Sequence, residues 1–200
     1  MKYLALGDSY TIGESVDQKL TFPFQLIDGL KTTGIPIDEI KVLAKTGWTT
    51  GDLLKGIQSA KPKPDYDLVT LLTGVNNQYR GYAIEEYNAE LQILINQSIK
   101  LAKGNPKHVI VISIPDYGVT PFGMEMAKKI DSDLRLFNQI NKELAHKNGL
   151  HWVDVFEISK LASIKTELIC NDKLHPSAEM YSLWVDAILP VSKSILEAEK

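Results

Sequence analysis

Five short apolar runs, at residues 3–6, 40–44, 68–72, 109–114 and 151–155, are spread along the chain with longer amphipathic segments between them. Runs that are apolar on both faces suit strands buried inside a parallel sheet, because a strand with one wet face alternates instead. Between the runs, Ile84, Tyr87, Leu91, Leu94, Ile95, Ser98 and Ala102 recur at three- and four-residue spacing, along one helical stripe. Ile130, Leu134, Phe137, Ile140 and Leu144 do the same, and Asn148-Gly149 supplies a helix stop before the fifth run. A last helix is expected after His175-Pro176, capped by Ser177, with a stripe of Tyr181, Trp184, Ile188, Val191 and Ile195. It should be kinked or interrupted at Pro190, which lacks the N–H that an internal position needs. This alternation predicts an α/β fold, a three-layer α/β/α sandwich around a mostly parallel five-stranded sheet. Lys61-Pro62-Lys63-Pro64 reads as a stiff connector into the third strand, and residues 1–200 are expected to form one domain.

Composition narrows the function classes. Basic residues are scattered among acidic ones and the formal net charge is −3, so the electrostatic footprint of a nucleic-acid binder is missing. Cys170 is the only cysteine, which excludes an internal disulfide and a cysteine-rich zinc site. None of His108, His146 and His151 has a partner at metal-ligand spacing. The longest apolar stretch falls far short of the ~20 residues that span a bilayer, and residues 1–7 are too short for a signal peptide. The chain therefore reads as cytoplasmic, with a small-molecule partner and no nucleic acid.

Ligands of open α/β sheets bind beyond the carboxyl ends of the strands, so those ends are where chemistry should lie. The first ends in Gly7-Asp8-Ser9-Tyr10, the second in Lys45-Thr46-Gly47-Trp48-Thr49-Thr50-Gly51, and the third in Thr73-Gly74-Val75-Asn76-Asn77-Gln78-Tyr79-Arg80-Gly81. A loop after the fifth carries Asn171-Asp172-Lys173-Leu174-His175-Pro176. Acyl transfer needs a hydroxyl nucleophile, an imidazole to take its proton, and a carboxylate to hold the imidazole's tautomer. It also needs preset donors for the oxyanion, each worth ~3–4 kcal/mol of barrier. Ser9, His175 and Asp172, with donors at Gly47 and Asn76, would supply that set from four strand-end loops.

Together these blocks resemble the SGNH (GDSL) hydrolase family, named for a serine, glycine, asparagine and histidine in four ordered blocks. Gly7-Asp8-Ser9-Tyr10 matches the first, with Tyr10 where the family has leucine, and Gly47 matches the second. Gly74-Val75-Asn76-Asn77 stands where the family has Gly-x-Asn-Asp, so Asn77 is a departure, while Asp172 to Pro176 matches Asp-x-x-His-Pro in full. The resemblance implies a flavodoxin-like sheet, Ser9 as nucleophile, His175 as base and Asp172 as its orienter. It places the oxyanion on the Ser9 and Gly47 N–H groups and the Asn76 amide, and it calls for no metal or organic cofactor. The implied activity is hydrolysis of a carboxylic ester, with short acyl groups such as acetyl on a carbohydrate preferred. A lysophospholipid or thioester substrate is the alternative.

Two other hydrolase or binding architectures fit the sequence less well. An α/β-hydrolase needs Gly-x-Ser-x-Gly at its nucleophile, and Gly7-Asp8-Ser9-Tyr10-Thr11 lacks the second glycine. An inactive flavodoxin-like module that binds a phosphate or nucleotide would favour a glycine-rich phosphate loop, and neither common pattern occurs. Trp48, Asn77, Tyr79, Arg80 and Tyr117 are the residues expected to border a substrate, with the loop at 115–123 as a candidate pocket wall.

Overall fold

The computed structural model describes residues 1–198. Five strands form one sheet: β1 (Lys2–Gly7), β2 (Glu39–Ala44), β3 (Leu68–Leu72), β4 (Val109–Ile112) and β5 (His151–Val153). All pairings are parallel and the order is β2-β1-β3-β4-β5. β1, β3 and β4 hold the centre, and β3 and β4 are buried at every residue, as expected of strands covered on both faces.

The helices are α1 (Ser9–Ile12), α2 (Phe22–Thr32), α3 (Thr50–Ala60), α4 (Val75–Tyr79), α5 (Ile84–Leu101), α6 (Ala127–Lys147), α7 (Phe156–Ser159) and α8 (Ala178–Glu197). α2 packs on α8, while α3 packs on α5 and α5 on α6. Right-handed crossovers explain this grouping: the connection from β1 to β2 runs opposite to the later ones, so its helix covers the other face. The order reverses between β1 and β3, and such switch points open a crevice at the strands' carboxyl ends.

Two strands stop short of expectation. The Ser113 N–H still bonds the Val153 carbonyl at 3.0 Å, but beyond it side chains take the backbone groups of Ile114, Val155 and Phe156. The Asn138 amide accepts from the Ile114 N–H at 2.7 Å and donates to its carbonyl at 2.9 Å. The Ser113 hydroxyl accepts from the N–H groups of Val155 and Phe156 at 2.8 and 3.0 Å. The last helix is capped by Ser177 as expected, but it runs through Pro190 without interruption. Its buried face of Tyr181, Trp184, Ile188 and Ile195 packs against α2 and outweighs one lost hydrogen bond.

Candidate active site

β1 delivers Asp8 and Ser9 to the crevice. Asp8 caps α1 by accepting the Tyr10 N–H at 3.0 Å, so the chain turns at once from strand to helix and Ser9 becomes the helix's first residue. Burial pushes the Asp8 carboxyl up to about 7, partly offset by the Tyr10 N–H and its own N–H. Ser9 is almost covered, with its hydroxyl 3.0 Å from His175 Nε2.

The loop before α8 holds the other two groups. Asp172 Oδ1 accepts the N–H groups of Leu174 and His175, both at 2.9 Å, which closes a tight turn. Asp172 Oδ2 stands 2.7 Å from His175 Nδ1. Partial burial alone would push the Asp172 carboxyl up. The Ser15 hydroxyl, the His175 and Leu174 N–H groups and the imidazole instead hold it well below the usual carboxylate range. An ionised Asp172 fixes the proton on Nδ1 and leaves Nε2 as acceptor for the Ser9 hydroxyl.

The three residues expected to supply oxyanion donors, Ser9, Gly47 and Asn76, border one cavity. Gly47 adopts φ +78, a backbone region that residues with a Cβ rarely occupy, and Arg80 holds its carbonyl at 2.6 Å. Neither the Ser9 nor the Gly47 N–H has a hydrogen-bond acceptor among the described residues, so both remain available. The Asn76 amide donates one hydrogen to the Trp48 carbonyl at 2.9 Å, which orients the side chain and leaves its second hydrogen uncommitted.

Ser9, Gly47, Asn76 and His175 border a cavity of about 170 Å³, walled by Tyr10, Val75, Tyr79, Tyr117, Phe122 and Leu174. The Tyr79, Tyr117 and Phe122 rings contact one another with centroids 5.9 to 6.4 Å apart. Tyr117 is fixed through its hydroxyl to Gln78 Oε1 at 2.8 Å. Phe122 is tied to the catalytic-loop candidate by its N–H, which bonds the Lys173 carbonyl at 3.1 Å. A larger groove of about 850 Å³ lies between α3 and α5, but no serine, cysteine or histidine lines it.

Of the expected bordering residues, Tyr79 and Tyr117 line the cavity and three do not. The Trp48 ring lies over Gly56 of α3, so close that a Cβ there would stand 2.4 Å from it. Asn77 is fully buried and clamps the start of α3, accepting the Thr50 N–H at 3.0 Å and donating to Thr50 Oγ1 at 2.7 Å. Arg80 braces Gly47 from outside the cavity. Sequence reasoning missed Tyr10, whose ring meets His175 edge-on at 5.6 Å, and Ser15, which reaches Asp172. No periodicity marks either one, because both contacts join distant segments. Among the described residues no group of three or more His, Cys, Asp or Glu is placed to hold a metal ion. No helix of the described residues is long and apolar enough to cross a membrane.

The profile of the GDSL-like Lipase/Acylhydrolase family matches residues 5–183. No curated protein sequence matches the chain. Among solved structures it is similar to a lipase/acylhydrolase from Enterococcus faecalis, at 19% identity and a TM-score of 0.76, covering 96% of this chain and 95% of that one. A psychrotrophic esterase, EstA from Pseudoalteromonas sp., matches at 19% identity and a TM-score of 0.71 over 98% of each chain. Axe2, an acetylxylan esterase from Geobacillus stearothermophilus, matches at 21% identity and 0.69 over 96% of this chain and 93% of that one. At such identities the likeness to these structures is one of fold.

Proposed function

This chain belongs to the GDSL-like lipase/acylhydrolase family and is a carboxylic ester hydrolase, and from that premise we propose that it works through an acyl-enzyme on Ser9. The observation that carries this reading is the unbroken relay from Ser9 Oγ to His175 Nε2 at 3.0 Å and from His175 Nδ1 to Asp172 Oδ2 at 2.7 Å. His175 takes the hydroxyl proton as Oγ bonds to the ester carbonyl carbon. The resulting oxyanion is held by the Ser9 and Gly47 N–H groups and the free Asn76 amide hydrogen. Collapse breaks the ester C–O bond, and the imidazolium gives its proton to the departing alcohol. Water then attacks the acyl carbon, losing its proton to His175, and a second collapse returns that proton to Ser9 and frees the acid. Asp172 stays ionised throughout and stabilises the imidazolium.

The substrate is an ester of a short acyl group, acetyl on a carbohydrate being the favoured form. A cavity of about 170 Å³ bordered by three aromatic rings offers little volume for a long chain. Tyr79 and Phe122, both half exposed, offer ring faces at its mouth against which a sugar can lie. The acetylxylan esterase among the structural neighbours fits this substrate class. A second hollow of about 300 Å³ supports the long-chain alternative, a lysophospholipid or thioester. It shares Tyr79, Tyr117 and Phe122 with the first and adds Met126 and Ile130 beside the charged Glu125 and Lys129. Hydrolysis of p-nitrophenyl acetate, butyrate and octanoate by the parent and Ser9→Ala tests the reading. Turnover that depends on Ser9 and falls with chain length is expected, and equal rates in the two proteins would refute it.

A further inference from the structure

One side chain outside the relay joins the nucleophile's segment to the segment of Asp172 and His175. Ser15 donates its hydroxyl to Asp172 Oδ2 at 2.7 Å, the same oxygen that faces His175 Nδ1. A carboxylate offers about four acceptor positions. Here the Leu174 N–H, the His175 N–H and the imidazole, all from its own loop, occupy three. Ser15, 157 residues away in sequence, is the fourth.

The stretch carrying Ser15 is itself bound to the nucleophile. The N–H groups of Gly13 and Glu14 both bond the Ser9 carbonyl, at 2.9 and 3.1 Å. Cys170 packs between the same two segments, its thiol donating to the Pro176 carbonyl at 3.1 Å with the Ser15 carbonyl 3.8 Å away. Ser15 also adopts φ +67, a left-handed conformation that costs any residue with a Cβ and persists only where the surroundings hold it.

We propose that Ser15 is a positioning residue of the hydrolase. By tying Asp172 Oδ2 to the segment that carries Ser9, it sets the distance and angle at which His175 meets the nucleophile. It also moderates the charge that Asp172 presents to the imidazolium. This inference rests on the roles assigned above to Ser9, His175 and Asp172.

The test is kcat, KM and the pH profile of p-nitrophenyl acetate hydrolysis in the parent, Ser15→Ala and Ser15→Gly, with thermal melts of all three. Ser15→Gly removes the hydroxyl and relieves the positive φ, so it should melt no lower than the parent. Both variants should lose about tenfold in kcat with little change in KM, because misalignment acts on the transition state. In both, the acid limb of kcat/KM should move to higher pH, since an oxygen that loses a donor offers more charge to the imidazolium. A Ser15→Gly variant with the parent's kcat and the parent's acid limb overturns the inference and leaves the ester hydrolase reading intact. Parent turnover that is independent of Ser9 defeats the underlying reading, and this inference with it.

Discussion

The Ser9 hydroxyl meets His175 Nε2 at 3.0 Å across 166 residues of chain. Each group is held by the fold rather than by its partner. Ser9 is pinned where β1 turns into α1 under the Asp8 cap, and His175 by the turn that Asp172 closes with two backbone N–H groups. Prior positioning of this kind lets a weak hydroxyl nucleophile react without reorganising its surroundings at the moment of attack.

Asn77 replaces the aspartate of the family pattern, and Glu90 explains why. Thr50 Oγ1 donates its only proton to Glu90, so residue 77 has to donate to that oxygen, and an amide does so at 2.7 Å. Asn77→Asp should therefore destabilise the protein by about 2–3 kcal/mol at neutral pH, by burying a carboxylate against an oxygen with no proton to give. Glu90→Ala added to Asn77→Asp removes the acceptor that holds the Thr50 proton and should recover part of the loss. Urea unfolding of both single variants and the double variant checks this, and purely additive effects would argue against the coupling.

Phe122 stands in the wall between the two hollows, half exposed and without a side-chain hydrogen bond to fix it. Phe122→Ala should join them and shift preference toward longer acyl chains. Each methylene newly buried is worth ~0.8 kcal/mol, about fourfold in kcat/KM. The ratio of octanoate to acetate turnover should rise at least tenfold, whereas an unchanged ratio would remove Phe122 from chain-length selection.

Asp8 gives the fold a pH dependence with a definite sign. Its folded-state pKa, about 7, lies above the ~3.9 of an unfolded aspartate. Below pH ~4 both states hold the proton and there is no penalty. As pH rises toward 7 the unfolded chain releases it first, and stability falls by up to about 4 kcal/mol. Asn at this position keeps the cap on the Tyr10 N–H and has nothing to ionise. Asp8→Asn should thus gain stability over the parent at pH 8 and little at pH 4.5 in urea unfolding. An equal difference at both pH values would contradict a buried, titrating Asp8.

The sheet was legible because buried parallel strands leave short apolar runs, and residues 68–72 match β3 at both ends. Strand ends at 112 and 153 were not, since they depend on Asn138 and Ser113 reaching across from other elements. α2 and α3 gave weaker signals than α5, α6 and α8, being shorter and interrupted by glycines. Ser9, Gly47, Asn76, Asp172 and His175 could be singled out because each sits in a compact block at a strand end, and the structure brings these blocks around one cavity. Trp48, Asn77 and Arg80 share those loops, yet their side chains serve α3 and Gly47, a distinction that only the direction of each side chain reveals.

Covalent capture of the nucleophile tests the central claim most directly. After reaction with a fluorophosphonate, the intact mass should rise by one phosphonyl group, and peptide mapping should place it on Ser9. Ser9→Ala, shown folded by its thermal melt, should take up none. A modification mapped elsewhere, or none on parent protein that turns over p-nitrophenyl acetate, would contradict an acyl-enzyme on Ser9.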